Sequence, residues 1–126
     1  MNVKTDTKEK FSVLTPEPAV ISANMTEDLI KLAGYASFDH PHLVINMKNV
    51  VDIAPEAAKK LAEIQREAYR QDHSFVICAI QPGVKRILVE EDLIDMMNIT
   101  PTESEASDIV QMEEIERELM DGNEDL

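Results

Sequence analysis

Ala54, Pro55, Glu56 and Ala57 stand where a run of strand formers, NVVDI, passes with almost no loop into PEAAKKLAEIQREAY, which is patterned as an amphipathic helix. Junctions of this kind often carry a nucleophile, a phosphate-binding loop or a phosphorylated side chain, because a helix N-terminus offers unpaired N–H groups and the positive end of the dipole. None of the four residues supplies a hydroxyl, a thiol or an imidazole. The remaining chemistry-bearing residues are sparse. Gly34, Gly83 and Gly122 are isolated, so no phosphate-cradling glycine loop exists. His40 and His42 flank Pro41, but no cysteine or third histidine lies at a matching ligand spacing; they read as turn histidines and no metal is expected. Cys78, inside SFVICAI, reads as a buried, inert thiol, and Glu90, Glu91 and Asp92 as a solvated face. The seven methionines read as core filler or, less often, as an adaptable contact surface. No catalytic constellation and no cofactor site is expected.

The elements that must position the junction follow from hydrophobic periodicity. Residues 1–9 are polar and are expected to be flexible or an edge extension; FSVL and AVISA, separated by TPEP, read as a strand pair. Asn24 and Glu27 suggest a capping box for a helix ending near Gly34 to Ser37. LVINM is a strand-length apolar run. Pro55 suits the first turn of the next helix and excludes helical geometry at Ala54. That helix should bury Ala57, Leu61, Ile64 and Ala68, expose Lys59 and Lys60, and pair Glu56 with Lys60. SFVICAI is apolar throughout, which predicts a strand covered on both faces. After the Gln81-Pro82-Gly83 junction, VKRIL and EEDLIDMM predict a short helix and a turn packing Leu93, Ile94, Met96 and Met97. NITPT predicts a short edge strand, since Pro101 bars it from a sheet centre. Ser104 should cap a last helix running to about Leu119, with Ala106, Ile109, Val110, Met112 and Ile115 supplying its apolar positions. The fold class is α/β, one domain over residues 10–120, with an acidic flexible tail at 121–126.

Composition narrows the partners. The 126 residues carry a formal net charge of −13, which disfavours nucleic acid and anionic membrane surfaces. The acidity is uneven: from Glu103 onward Arg117 is the single basic residue, so a solvated helix face with a frayed end is read there in preference to an acidic docking site. No apolar run approaches the length of a membrane span, no secretory signal is evident, and a lone cysteine offers no internal disulfide; a cytoplasmic protein is expected.

FVICAIQPGVKRILVEEDLIDMMNITPTESEA and HLVINMKNVVDIAPEAAKKLAEI together resemble the STAS domain family, typified by bacterial anti-sigma factor antagonists. The resemblance covers about Phe11 to Met120. It implies a STAS-like mixed sheet of four to five strands packed with four helices, no enzymatic activity, and binding to a regulatory protein such as an anti-sigma factor or serine kinase. In that family the loop before the second helix reads Asp-Ser-Ser-Gly and its first serine is the phosphorylated switch. Here the corresponding residues are Ala54, Pro55, Glu56 and Ala57, so no acceptor hydroxyl stands at the family position, Pro55. Glu56 reads either as a favourable helix-starting carboxylate or as a fixed mimic of phosphate, the first preferred. Asp92 replaces a family glycine near the end of the third helix, and Asp72 and His73 replace turn glycines before the following strand. Ser22, Thr26, Ser37, Ser74 and Ser104 remain as unranked hydroxyls. The expected partner-binding residues are Asp52, Ile53, Ala54, Pro55, Glu56, Lys59 and Lys60, then Asn24 and Gln81, Pro82, Gly83 and Lys85. The alternative is a structural STAS unit acting as scaffold or homodimer in a regulatory assembly.

Overall fold

Three apolar runs build the centre of the sheet. In the computed structural model, which describes residues 1–33 and 42–124, β2 (Phe11–Pro16), β4 (His42–Asn46) and β6 (Phe75–Cys78) are neighbouring parallel strands, buried along their whole length. Val44 stands beside Val13 on one side and Val76 on the other. Parallel neighbours require long connections, and α2 (Pro55–Arg70) supplies the one between β4 and β6.

The edges are short or charged. β1 (Val3–Thr7) pairs antiparallel with β2, and its VKTDT sequence turns polar residues to solvent. Residues 1–9, expected as a flexible lead or an edge extension, thus contain an edge strand whose Lys4 and Asp6 discourage further pairing. At the opposite edge β7 (Ile99–Thr100) is two residues long and stops at Pro101. The order is β1-β2-β4-β6-β7, a five-stranded mixed sheet packed, among the described residues, with four α-helices, the arrangement that the family resemblance implies.

The expected pairing of FSVL with AVISA does not form. β3 (Val20–Ile21) instead makes a separate two-stranded parallel ribbon with β5 (Asp52–Ile53). Pro16 and Pro18 lack N–H donors, so this stretch cannot carry a hairpin ladder back along β2. A 3-10 turn at Ala23–Met25 leads into α1 (Thr26–Ala33). Asn24 therefore lies exposed within the turn rather than capping the helix, and the expected helix end near Gly34 to Ser37, together with His40, falls outside the described residues. α3 (Pro82–Glu90) is followed by a 3-10 turn at Ile94–Met96, which buries Leu93 and Met97 but leaves Met96 exposed.

α4 (Glu103–Glu124) begins at Glu103, and Thr102 rather than Ser104 caps it, its Oγ1 accepting from the Glu105 N–H at 3.2 Å. Thr102 also accepts from the Thr100 hydroxyl through its carbonyl, which ties the cap to the end of β7.

Successive residues of each central strand point to opposite faces. Leu14, Leu43, Ile45, Phe75 and Ile77 face a large core completed by α1, α2 and α3. Phe11, Val13, Val44, Val76 and Cys78 face a smaller one closed by Ala106 and Val110 of α4. Both faces of SFVICAI are covered, as its unbroken hydrophobicity predicts.

Two left-handed residues stand where glycine would be easiest. Asp72 (φ 62°) follows α2 and Asp92 (φ 57°) follows α3. Aspartate tolerates this conformation better than most non-glycine residues. These are two of the positions at which the family resemblance places glycines.

Candidate functional site

The opening junction is built by exclusion of alternatives. Ala54 is extended (φ −68°, ψ 145°), as a residue before proline must be, and Pro55 occupies the first turn of α2. Ala54 has no side-chain cap to offer; its own N–H is instead used by the Ile21 carbonyl at 2.8 Å, which continues the β3–β5 ribbon to the foot of the helix. Ala57 and Ala58 are fully buried beneath that first turn, while Glu56 is exposed.

α3 starts in the same way. Gln81 is extended, Pro82 takes the first turn, and the Gln81 side chain donates through Nε2 to the Lys48 carbonyl at 2.7 Å instead of capping its helix. Gly83 brings the two helix starts together. A methyl at this position would collide with the Val51 carbonyl oxygen, so the α3 backbone lies directly on the loop leading into β5. Only glycine allows this approach. Val51, Asp52, Pro82, Gly83 and Arg86 line a shallow open depression of about 360 Å³ at that contact.

The surface around the depression is mixed. Val20 of β3 and Val51, just before β5, are each about half exposed, an apolar pair beside Asp52 and Arg86, whereas Lys85, expected with them, lines a separate depression with Ile80, Ile94, Met97 and Ile99 on the other side of α3. Ile53 does not belong to this surface: at 2% exposure it is part of the large core, so it positions the junction and cannot contact a partner. Lys59 reaches across to Glu91 after α3 at 3.6 Å, and Lys60 pairs with Glu63 at 3.0 Å rather than with Glu56. These exposed pairs contribute little to stability. The turn holding Asn24 packs against α2. Ala79, between β6 and α3, has φ 59°, a left-handed conformation that costs an alanine about 1–2 kcal/mol and is sustained by its N–H bond to the Thr100 carbonyl at 3.1 Å.

His42 is not a turn residue. It opens β4, is buried, and is the hub of a polar cluster beneath α4. Its Nδ1 accepts from the Ser74 N–H at 2.9 Å, which requires a neutral ring with the proton on Nε2, and Nε2 donates to Glu114 at 2.7 Å. Burial holds its pKa below the usual 6.5, opposed by the Glu114 carboxylate. Ser74 is buried and its hydroxyl accepts from Arg117 at 3.1 Å, so it is not available as a modification site. Tyr69 donates to Glu113 at 2.8 Å and receives the Asn98 amide; burial, then the Glu113 carboxylate, raises its pKa well above 10. Asn46 donates to Glu103 at 3.2 Å. Carboxylates that read as solvated thus anchor α4, over sequence separations that no local pattern reveals. Cys78 is buried with its thiol pushed up to about 11, which leaves it protonated and unreactive.

Among the described residues no group of three or more His, Cys, Asp or Glu could hold a metal ion. No described helix is long and apolar enough to cross a membrane.

The STAS domain model matches residues 2–106. The chain belongs to the STAS domain family. The match begins at residue 2, so the antiparallel edge strand is part of the STAS unit here. A search by sequence among curated proteins found no match. The fold is similar to an anti-sigma factor antagonist from Mycobacterium paratuberculosis, at 20% identity and TM-score 0.71, covering 87% of this chain and 93% of that one. It is also similar to an anti-sigma-factor antagonist (STAS) domain protein from Planctomyces limnophilus, at 14% identity and TM-score 0.69, covering 82% and 93%. The murine Solute Carrier 26 family member A9 anion transporter contains a similar region, at 15% identity and TM-score 0.65; it covers 85% of this chain but 18% of the transporter. The fold thus occurs both as nearly a whole chain and as a small part of a large one.

Proposed function

We propose that this STAS protein is a non-enzymatic regulatory module that binds a protein partner of the anti-sigma factor or serine-kinase type. The contact surface is formed by the starts of α2 and α3 and the ribbon between them. The observation that carries the reading is the convergence at Gly83, where the loop carrying Val51 and Asp52 toward Ala54, Pro55 and Glu56 lies against the α3 start at Gln81, Pro82 and Arg86, with Lys59 and Lys60 along the next turn of α2. Exposed Val20 and Val51 supply an apolar centre and the surrounding charges a rim, the composition of a partner-binding patch. The similarity to anti-sigma factor antagonists supports the choice of partner class. Residues 50–60 contain no Ser, Thr or Tyr, so binding at this surface is not gated by phosphorylation of its own loop. Glu56 provides a constant negative charge at the helix start, where it is electrostatically favourable in any case.

The test is affinity capture, quantified by mass spectrometry, with the wild-type chain and with Glu56→Lys combined with Arg86→Glu. Both residues are exposed, so the fold is expected to survive. A regulatory partner enriched by the wild type should fall at least tenfold with the variant. Equal retention by both proteins would remove this surface from consideration.

A further inference from the structure

α4 has two apolar faces and the sheet covers only one. Ala106 and Val110 point into the smaller core. On the opposite side Met112, Ile115 and Leu119 are 60%, 55% and 63% exposed, at the three- and four-residue spacing that forms a stripe along a helix. Met120 adds a fourth exposed apolar residue one turn beyond Glu116. Eight large apolar side chains are markedly exposed among the described residues, and half of them fall within these nine positions of one helix. Single exposed apolar residues are ordinary, but a contiguous set marks a contact surface.

The border of the stripe specifies the occupant. Glu105, Asp108, Glu116 and Glu118 lie along or beside it and are exposed. Between α4 and the start of β2 there is a groove of about 280 Å³, with Phe11, Val110 and Ile115 as apolar walls and Glu9, Glu114 and Glu118 as carboxylates. Lys10, from the chain itself, already sits there, 3.7 Å from Glu118 and 4.0 Å from Glu114, which shows that these carboxylates accept an ammonium group. A second copy of this chain would set the same acidic borders against each other, in a protein of net charge −13. An anionic lipid surface is repelled for the same reason.

We infer that the outer face of α4 is a docking site for a basic amphipathic helix, whose apolar side covers Met112, Ile115 and Leu119 and whose Lys and Arg residues meet Glu105, Asp108, Glu116 and Glu118. A helix fits because the stripe follows the axis of α4 at the spacing by which two helices interdigitate, and methionine adapts to an irregular counterface. The site lies on α4, across the sheet from α1, α2 and α3, so it does not depend on the surface proposed at the helix starts.

The probe is a fluorescein-labelled 18-residue peptide of leucine and lysine with its leucines on one helical face, measured by fluorescence anisotropy against the full chain. A scrambled peptide of the same composition serves as control. The wild type should bind the amphipathic peptide at least tenfold more tightly than the scrambled one, with affinity falling as salt rises. Ile115→Ser combined with Leu119→Ser, both exposed positions, should weaken binding at least tenfold while leaving the far-ultraviolet circular dichroism unchanged. Glu116→Lys combined with Glu118→Lys should remove most of the salt dependence. No binding of the amphipathic peptide, or equal binding of both peptides, overturns the proposal. So does a wild-type dimer by light scattering that the serine variant converts to monomer, since a second copy would then cover the stripe.

Discussion

The two faces of the sheet are held by different physics. Below it α1, α2 and α3 share a continuous apolar core with Leu14, Ile45, Phe75 and Ile77 at its centre. Above it, among the described residues, α4 contributes only Ala106 and Val110 as fully buried side chains and is otherwise fastened by hydrogen bonds that Glu103, Glu113 and Glu114 accept from Asn46, Tyr69 and His42 and that Arg117 donates to Ser74. Burial is non-directional and insensitive to pH, whereas a hydrogen-bonded carboxylate fixes a register and depends on the protonation of its partner. The first face specifies that the chain collapses; the second specifies where α4 lies.

The strongest challenge to this contrast is a truncation on each side. Leu61→Ala should lower global stability by about 2–5 kcal/mol, because Leu61 is buried in the large core and its truncation leaves a cavity. Val110→Ala, which removes two carbons from the smaller core, should cost about 2 kcal/mol. Urea unfolding followed by circular dichroism measures both. Equal losses would mean that the upper face is not the weaker apolar contact.

A smaller effect comes from Glu114→Ala. It leaves the buried Nε2–H of His42 without its acceptor, at a cost of about 1–3 kcal/mol. Amide hydrogen exchange should accelerate along α4 and remain slow in α2. Uniform acceleration of both helices would show that α4 is not a separately anchored element.

The smallest effect is that of pH. The folded protein holds His42 neutral with a pKa below 6.5, while the unfolded chain takes up the proton near that value. Between the two pKa values the unfolded state binds more protons, so stability is full above about pH 6.5 and is lost as pH falls through the folded pKa, by at most about 1.4 kcal/mol per pH unit. Arg117 and His73 also face the ring and oppose its charging, whereas Glu114 favours it. Urea midpoints at pH 7.5 and 5.5 should differ more for the wild type than for His42→Gln. Identical slopes in the two proteins would separate His42 from the acid response.

Much of the lower face is legible in the sequence, because LVIN, SFVICAI and the stripe Ala57, Leu61, Ile64 and Ala68 carry their period locally. The Pro55 and Pro82 helix starts are equally local, each fixed by one ring. What escapes a local reading has distant causes. β3 is two residues whose partner lies thirty-two positions away, at β5. His42 looks like part of a turn until Glu114, seventy-two residues on, is beside it. Met112 and Ile115 are apolar positions of α4 yet lie exposed, because these positions form two stripes and periodicity alone does not say which one meets the sheet. For the candidate site, the residues of α2 and α3 were each visible as helix starts, and the resemblance to STAS proteins grouped them. Their physical juncture depends on a single glycine, whose role is apparent only once the Val51 carbonyl is seen above it.

That juncture has a mechanical consequence. Most helices rest on their neighbours through side chains, which take up small shifts by changing rotamer. At Gly83 there is no such cushion: main chain bears on main chain, and the Gln81 amide holds the same loop at a second point, the Lys48 carbonyl. The foot of α3 and the approach to α2 therefore move as one stiff body, and whatever grips either of them takes hold of both.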